Sequence, residues 1–384
     1  MSTPRSIIIL GSTGSIGVQA LEIIEANPEL FEVIALSAGG ANTDLLIEQA
    51  RKFKAQYVGV ARNADVVRQA LPGVEVIDGV HASTQIASIS CDVVLNAITG
   101  SIGLAPTLAA LDADNRVALA NKESLVAGGD LVLARAKDNQ LLPVDSEHSA
   151  IWQALIGEKK SEVSKLILTA SGGPFRDRTD LSGVTVQEAL AHPTWVMGPV
   201  VTINSATLMN KGLEIIEAHY IFGIPYSQIE AVIHPQSVIH SMVEFVDGST
   251  IAQGSPPNMK GPISLALHYP NRVPAATSPI DWTQSHTWNF APIDTDRFPA
   301  IALARECGAI GGGAPAIFNA SNEVAVQAFV DGHIKFTDIV SIVRASVDSL
   351  RDSAATMLRD LADVSAIEED ARRTSHSLVK KVGA

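Results

Sequence analysis

The sequence predicts an α/β protein with an N-terminal doubly wound (Rossmann-like) parallel sheet, an α+β catalytic domain and a C-terminal helical bundle. Three observations predict this fold class. Apolar runs alternate with amphipathic segments over the first 145 residues, as strands and helices alternate around a parallel sheet. In the middle section, longer irregular segments separate the apolar runs. From Pro299 onward, apolar residues recur at helical spacing.

The first predicted strand is followed by a loop typical of nucleotide binding. Residues 6–10 (Ser-Ile-Ile-Ile-Leu) are apolar on both faces, as in a buried parallel strand. Residues 11–17 then have the spacing G-x-x-G-x-x-G, before a helix predicted at 18–26. Glycines let a dinucleotide pyrophosphate approach the backbone, and a helix N-terminus favours its charge. A glycine-rich turn needed only for helix–strand packing is the alternative.

The end of the second predicted strand, 31–38, indicates which dinucleotide is preferred. NAD-binding folds usually place Asp or Glu about 20 residues after the loop, where it holds the ribose hydroxyls. Here residues 37–42 read Ser-Ala-Gly-Gly-Ala-Asn. Without an acid, a 2′-phosphate is not repelled, so the sequence favours NADP. No Arg or Lys stands in this segment to attract that phosphate.

The remaining pattern divides the chain into four expected parts. Strands are predicted at 57–60, 74–77, 93–97, 116–120 and 141–144, and then at 166–169, 231–233, 238–245 and 250–253. Helices are predicted at 44–53, 300–304, 314–330, 335–349 and 354–371. We expect a dinucleotide-binding domain at 1–145, a catalytic, metal- and substrate-binding domain at 146–270 with a flexible lid at 190–200, a linker at 271–298 and a helical domain at 299–384.

Composition excludes several classes of protein. The net charge of −13 over 384 residues argues against nucleic acid or an anionic membrane as a partner. Cys91 and Cys307 are the only cysteines, which excludes a disulfide framework and fits a reducing compartment. The longest apolar stretch, 91–111, carries too many polar residues, Gly and Pro for a lipid-facing helix. We therefore expect a cytoplasmic protein.

Two acidic segments predict a site for a divalent cation. Asp145 and Glu147 follow the apolar run 141–144, and strand alternation predicts that their side chains point the same way. Residues 204–214, the last of which is Glu214, open a predicted amphipathic helix. If the segments meet, three carboxylates offer the hard oxygen ligands that Mg²⁺ and Mn²⁺ prefer. The alternatives are Asp145 as the N-cap of a helix at 149–155 with a solvated Glu147, and Glu217 in place of Glu214.

Other polar residues predict an anionic, oxygen-rich substrate. Asn210 and Lys211 share the helix face of Glu214, and amide and ammonium groups suit a phosphate. Residues 171–174 (Ser-Gly-Gly-Pro) offer backbone amides and a hydroxyl that suit an anion, although an ordinary turn explains them equally well. Lys122 and Ser146 are candidate substrate contacts, with a surface charge as the alternative for Lys122. Residues 192–199 are bracketed by prolines and predict a lid that excludes water, or else a core-packed loop.

The motifs together, in this order and spacing, resemble one family, the 1-deoxy-D-xylulose 5-phosphate reductoisomerases. The resemblance spans nearly the whole chain, because many separate motifs follow one another in the right order. The segments that carry it are 11–17 (GSTGSIG), 120–124 (ANKES), 143–148 (PVDSEH), 170–175 (ASGGPF), 192–198 (HPTWVMG), 204–214 (NSATLMNKGLE), 233–237 (IHPQS) and 318–323 (FNASNE).

The resemblance implies an enzyme that converts 1-deoxy-D-xylulose 5-phosphate to 2-C-methyl-D-erythritol 4-phosphate in isoprenoid precursor biosynthesis. It implies NADPH and a divalent cation, Mn²⁺ or Mg²⁺ with Co²⁺ as a further candidate, and a cytoplasmic homodimer. The competing hypotheses are another NADP-dependent Rossmann dehydrogenase, such as a semialdehyde dehydrogenase that needs a cysteine nucleophile, and a dinucleotide-sensing protein without turnover. The sequence offers no cysteine in an evident nucleophile setting.

The same resemblance implies a role for each matched residue. The metal ligands would be Asp145, Glu147 and Glu214. The catalytic set would be Lys122, Asp145, Glu147, Glu214 and His192. The substrate would contact Lys122, Ser146, Glu147, Ser171, His192, Trp195, Ser205, Asn210, Lys211 and Glu214. The cofactor would contact Thr13, Gly14, Ser15, Ile16, Gly39, Gly40, Asn42, Asn121, Glu123 and Gly198. This chain departs from the family after the second strand, where many members have a basic residue and it has Gly40-Ala41-Asn42.

Overall fold

The structure, a computed structural model, describes residues 3–195 and 198–383. Its strands are β1 (Arg5–Leu10), β2 (Phe31–Ala38), β3 (Tyr57–Val60), β4 (Glu75–Asp78), β5 (Val93–Asn96), β6 (Arg116–Leu119), β7 (Leu141–Pro143), β8 (Val163–Ala170), β9 (Ile229–Ile233), β10 (Ile239–Phe245), β11 (Thr250–Gly254) and β12 (Ala291–Pro292).

The α-helices account for most of the remaining chain. They are α1 (Ser15–Ala26), α2 (Thr43–Phe53), α3 (Ala64–Ala70), α4 (Ala82–Ala87), α5 (Leu104–Asp112), α6 (Glu123–Leu133), α7 (Ser146–Ala154), α8 (Val186–Leu190), α9 (Pro199–Ala206), α10 (Met209–Phe222), α11 (Lys260–His268), α12 (Ala300–Ile310), α13 (Ala314–Val330), α14 (Asp338–Ser349), α15 (Arg351–Ala354) and α16 (Leu361–Val382). None of the helices in the described part of the chain has the length and apolar character needed to cross a membrane.

The described residues form two compact units. The first comprises 3–124, 132–149 and 258–278, and the second comprises the other described residues. The two units do not test the predicted division into four domains, which stays a prediction.

The first unit is built on a seven-stranded sheet in the order β4-β3-β2-β1-β5-β6-β7, and every neighbouring pair is parallel. The central strand β1 is buried on both faces, with Ile7, Ile8 and Ile9 fully inaccessible. Each such side chain contributes about 1.5–3 kcal/mol of hydrophobic stabilisation relative to an exposed one. Because β1 lies between β2 and β5, the strand order reverses beside it, and ligands bind doubly wound sheets at such a reversal.

The second unit contains a five-stranded mixed sheet in the order β11-β10-β8-β9-β12. Strands β8 and β9 are parallel, whereas β10 pairs antiparallel with both β8 and β11. A bundle formed by α12, α13, α14 and α16 follows in the chain, and α13 is its buried centre, with Phe318 fully inaccessible. The predicted fold class is therefore confirmed.

Two local predictions at the acidic segments are wrong. β7 ends at Pro143 and α7 begins at Ser146, so Glu147 lies on a helix and strand alternation does not orient it. The region predicted as one helix opening at residue 204 is two helices, because Leu208 adopts a left-handed conformation with φ of +57° between α9 and α10. In addition, α11 packs against α1 where the sequence predicted no helix.

Candidate active site

The glycine-rich loop after β1 is held rigidly to the end of β2. The backbone N–H groups of Gly11 and Ser12 both donate to the carbonyl of Ser37, at 2.9 and 3.0 Å. Gln49 of α2 donates to the Ser12 carbonyl at 3.0 Å. Gly14 precedes α1 in an extended conformation and brings no side chain to cap the helix. The first N–H groups of α1 are therefore suited to an anion, as the nucleotide prediction requires.

A second set of predicted cofactor residues joins the loops that follow β5 and β6. The buried Asn121 amide donates to the carbonyls of Ile98 and Gly100, at 2.8 and 2.9 Å, and to Glu123 Oε2 at 2.9 Å. Glu123 Oε1 accepts from the N–H of Gly100 at 3.1 Å. These bonds stiffen the carboxyl edge of the sheet on the far side of β1 from β2. Asn121 and Glu123 thus tie together the loops that follow β5 and β6.

The first unit also brings several predicted catalytic residues together. Lys122 follows β6, and its Nζ lies 2.7 Å from Oδ2 of Asp145, which follows the neighbouring strand β7. Ser146 Oγ donates to Glu147 Oε2 at 2.5 Å in the first turn of α7. Both Lys122 and Asp145 are largely shielded from water, with side chains 16% and 15% exposed. The ammonium therefore offsets the charge of this largely shielded carboxylate.

In the second unit, Glu214 and Lys211 form a buried ion pair one turn apart on α10, with side chains 1% and 3% exposed. Asn210 also donates to Glu214, and Lys211 donates to the carbonyl of Thr169 at the end of β8. The predicted sharing of one helix face by these three side chains is thus observed. The Thr169 carbonyl was not predicted, because only tertiary packing brings β8 to α10.

His192 joins two predicted substrate serines. Its Nε2 lies 3.0 Å from Ser171 Oγ and 3.1 Å from Ser205 Oγ. Its Nδ1 accepts from the N–H groups of Thr194 and Trp195, at 3.1 and 2.8 Å, so the ring proton belongs on Nε2. Burial, followed by the charge of Arg176, lowers the pKa of His192 below its usual value. The ring is therefore a neutral donor that faces both hydroxyls.

The serine loop at 171–173 has a constrained backbone. Gly172 and Gly173 have φ of +82° and +64°, and a Cβ on Gly173 would lie 2.9 Å from the carbonyl of Ser205. Gly173 N–H donates to Ser171 Oγ at 3.2 Å. Arg176, which sequence reasoning missed, donates to the Ser171 carbonyl at 3.4 Å. The half-buried Trp195 ring lies 6.3 Å from that of His240. Val196 and Met197 of the predicted lid lie outside the described residues.

The structure places the predicted site residues in two groups. The first unit holds Thr13, Gly14, Ser15, Ile16, Gly39, Gly40, Asn42, Asn121, Lys122, Glu123, Asp145, Ser146 and Glu147, and the second holds Ser171, His192, Trp195, Gly198, Ser205, Asn210, Lys211 and Glu214.

Neither cysteine lies in a setting that favours the thiolate form. Burial raises the pKa of Cys91 to about 12 and that of Cys307 also to about 12. Since the thiolate is the reactive form, both side chains are inert near neutral pH. This argues against a cysteine-dependent semialdehyde dehydrogenase.

Comparison with known proteins identifies the family. Three family models match: 1-deoxy-D-xylulose 5-phosphate reductoisomerase over residues 7–129, its C-terminal domain over 141–222, and the DXP reductoisomerase C-terminal domain over 255–374. A reductoisomerase of this name from Pseudarthrobacter chlorophenolicus is 55% identical over 97% of this chain and 98% of its own. The chain belongs to the 1-deoxy-D-xylulose 5-phosphate reductoisomerase family. One from Streptomyces coelicolor is 52% identical over 98% of this chain and 93% of its own.

Solved reductoisomerase structures agree over the full length. The Zymomonas mobilis enzyme in complex with NADPH superimposes with a TM-score of 0.92 at 41% identity, covering 98% of this chain and 99% of its own. A reductoisomerase in complex with NADPH, fosmidomycin and magnesium gives 0.93 at 38% identity, covering 98% of both chains. The predicted family, the enzyme class and, for the family, NADPH with a divalent cation are confirmed.

Proposed function

We propose that this chain catalyses the NADPH- and metal-dependent isomerisation and reduction of 1-deoxy-D-xylulose 5-phosphate to 2-C-methyl-D-erythritol 4-phosphate. The observation that carries the proposal is the full-length match to the reductoisomerases, combined with shielded, charge-balanced carboxylates at the predicted positions. The individual roles below are assigned on the geometry within each unit and on the family's motifs.

We assign the divalent cation to Asp145, Glu147 and Glu214. All three offer carboxylate oxygens, the ligand type preferred by Mg²⁺ and Mn²⁺. Asp145 and Glu214 fit a cation in charge as well, because each is a shielded carboxylate that needs a positive charge nearby, which an ammonium supplies in this structure. Bound there, the cation would act as a Lewis acid on the oxygens of the substrate ketone and adjacent hydroxyl.

We assign the substrate phosphate to Ser171, Ser205, Asn210 and Lys211, with His192 as a further donor. Two hydroxyls and a neutral imidazole N–H already converge in the second unit. Lys211 supplies a buried positive charge in the same unit. Phosphate binding away from the reacting carbons provides energy for orienting the substrate.

Lys122 and Ser146 are assigned to the reacting end of the substrate. The Lys122 ammonium is a donor for a substrate oxygen and balances Asp145. The hydroxyl of Ser146 is positioned by Glu147 and by the start of α7. Both groups thereby hold the sugar in one orientation while its carbon skeleton rearranges.

NADPH, which supplies the hydride, is assigned to the first unit and to Gly198. The loop residues Thr13, Gly14, Ser15 and Ile16 would bind its pyrophosphate through backbone N–H groups. Asn121 and Glu123 would shape the wall on the far side of β1. Gly39, Gly40 and Asn42 at the end of β2 would surround the adenosine ribose.

His192 and Trp195 are assigned to a lid over the substrate. His192 organises the chain at 194–195 through its Nδ1, so any ligand that reorients the ring also moves the indole. A closed lid excludes water from reactive fragments of the sugar. The proposal further includes a cytoplasmic homodimer that uses Mn²⁺ or Mg²⁺, and the four-part domain division of the sequence.

The test is NADPH oxidation, followed at 340 nm, with 1-deoxy-D-xylulose 5-phosphate present. We expect oxidation to stop in EDTA and to return when Mg²⁺ or Mn²⁺ is added in excess. Omission of the sugar phosphate serves as the control for background oxidation. Equal rates with and without chelator would refute the metal assignment, and NADPH binding without any turnover would favour a dinucleotide sensor.

A further inference from the structure

We propose that Arg62 recognises the 2′-phosphate of NADPH and thereby sets the coenzyme specificity of this chain. The inference rests on the proposed NADPH-dependent function and deepens it. It answers a question that the sequence raises, because residues 37–42 at the end of β2 contain no Arg or Lys. The positive charge comes instead from the loop after the neighbouring strand.

Strand pairing places that loop beside the end of β2. The last residues of β2 and β3, Ala38 and Val60, are partners in a parallel pair. The chains that follow therefore leave the sheet side by side, one as residues 39–42 and the other as residues 61–63. The carboxyl end of β2 is where doubly wound folds hold the adenosine ribose. A cation on the second loop thus lies within reach of the ribose substituents.

Two hydrogen bonds fix the second loop over the first. Arg62 Nε donates to the carbonyl of Gly39 at 3.4 Å. Asn63 Nδ2 donates to the carbonyl of Gly40 at 2.9 Å. The Nε contact leaves the two terminal amino groups of the guanidinium for a ligand. Since guanidinium is a planar fork, those groups match two oxygens of one phosphate.

Gly39 and Gly40, whose carbonyls accept from Arg62 and Asn63, show where a phosphate has room beside the guanidinium. Gly40 has φ of +83°, and a Cβ there would lie 2.2 Å from the Arg62 carbonyl, so close approach of the loops requires glycine. A Cβ on the exposed Gly39 would meet no atom within 4 Å among the described residues. The surface beside the guanidinium is therefore open, and a phosphate fits where a side chain would otherwise stand.

The charge of Arg62 is also not neutralised by a described carboxylate. Within residues 3–195 and 198–383, no carboxylate forms an ion pair with this exposed side chain. Other basic residues of the neighbouring helices are already engaged: Arg68 pairs with Asp78 at 2.8 Å, and Arg51 donates to the Ala70 carbonyl at 2.7 Å. Arg62 is thus a basic group at the end of β2 that a phosphate can recruit without breaking an ion pair in the described part of the chain.

Calorimetric titration with adenosine 2′,5′-bisphosphate and with 5′-AMP isolates the 2′-phosphate from the rest of the coenzyme. For Arg62→Gln we expect about 10- to 100-fold weaker binding of the bisphosphate, and likewise of NADPH, from the usual strength of charge-assisted hydrogen bonds. Binding of 5′-AMP and NADH should change by less than about 2-fold, since neither carries the 2′-phosphate. The affinity of Arg62→Lys for the bisphosphate should fall between that of the unaltered protein and that of Arg62→Gln, because lysine keeps the charge but lacks the planar guanidinium.

Arg51→Gln is the matched control. It also removes an arginine from the first unit, but Arg51 lies in the last turn of α2, at the end of that helix away from residues 39–42. It should bind all four ligands like the unaltered protein. Gly39→Asp provides the converse variant: its carboxylate fits the open space, repels a 2′-phosphate and accepts from ribose hydroxyls. It should lower affinity for NADPH and raise affinity for NADH.

The outcomes separate this inference from the function on which it rests. If the unaltered protein binds NADPH and the bisphosphate but Arg62→Gln binds both equally well, the role of Arg62 is refuted and the function stands. Equal weakening of 5′-AMP and the bisphosphate would also refute it, since the effect would then not concern the 2′-phosphate. If the unaltered protein binds neither NADPH nor NADH, the proposed function itself fails.

Discussion

Glu214 combines deep burial with a negative charge, and that combination makes it the most informative residue for substitution. Its carboxylate lies 1% exposed beside the ammonium of Lys211. A buried carboxylate has lost its hydration and needs a positive charge nearby. A divalent cation would add its positive charge to that of the lysine.

We expect Glu214→Gln to weaken Mn²⁺ binding by at least about 100-fold, which exceeds the usual effect of losing a group outside the ligand shell. NADPH affinity should be unchanged, because the nucleotide residues, apart from Gly198, belong to the first unit. Calorimetric titration with Mn²⁺ and NADPH measures both. The variant should also unfold more easily, since loss of one partner from a buried ion pair costs about 3–5 kcal/mol, so circular dichroism must confirm folding at the chosen temperature.

Glu217→Gln, one turn further along α10 and equally buried, is the matched comparison for the alternative ligand. Glu230→Gln, whose partner is Lys165 in an exposed pair, controls for the loss of a surface charge. Should Glu217→Gln lose Mn²⁺ while Glu214→Gln keeps it, our ligand assignment is wrong.

At the scale of elements, the glycine-rich loop and α1 behave as one rigid piece. Gly17 sits in the first turn of α1 directly over the loop, and a Cβ there would lie 2.5 Å from the Gly11 carbonyl and 2.7 Å from that of Ser12. At Gly14 the corresponding approach to the Gly11 carbonyl is 3.3 Å. The two positions thus differ in how much the backbone must move.

We therefore expect Gly17→Ala to lower the free energy of unfolding by about 1–3 kcal/mol, the usual cost of forcing atoms into a packed region. Gly14→Ala should cost clearly less. Urea denaturation of both variants and of the unaltered protein provides the comparison. Equal stability of Gly17→Ala and the unaltered protein would show that the loop yields, contrary to its hydrogen bonds with Ser37.

The elements also show what sequence reasoning can and cannot reach. The strand–glycine loop–helix unit is predictable because burial on both faces and the turn chemistry act over neighbouring residues. The acidic pair at 145 and 147 is predictable from its place after the apolar run 141–144 and from the family resemblance, but strand alternation misplaced Glu147, since α7 starts directly after Asp145. The contacts of Lys122 with Asp145 and of Lys211 with Thr169 depend on which strands and helices become neighbours. No local pattern encodes that choice.

At the scale of the whole molecule, the residues proposed to bind NADPH and those proposed to bind the substrate phosphate belong mostly to different units. The nucleotide residues lie mostly in the first unit and the phosphate residues in the second. We expect NADPH to slow amide hydrogen exchange around residues 11–17 and 37–42. Inorganic phosphate should instead slow exchange around 171–173 and 204–211.

Exchange followed by mass spectrometry of the full chain, with each ligand alone, measures this division. Sodium chloride at the same ionic strength controls for general salt effects. Protection by phosphate confined to residues 11–17 would contradict the assignment of the sugar phosphate to the second unit.

The first unit is not continuous in the chain, and this has a consequence for how the protein is made. Residues 258–278 return to it, where Arg5 donates to the carbonyls of Leu267 and Tyr269, at 3.3 and 2.8 Å, and Lys260 pairs with Glu22 at 2.7 Å. During synthesis the surface of the N-terminal sheet that α11 covers therefore stays exposed to water until about half of the second unit has also been made. A gene fragment that stops near residue 149 would encode a sheet that lacks its last covering helix.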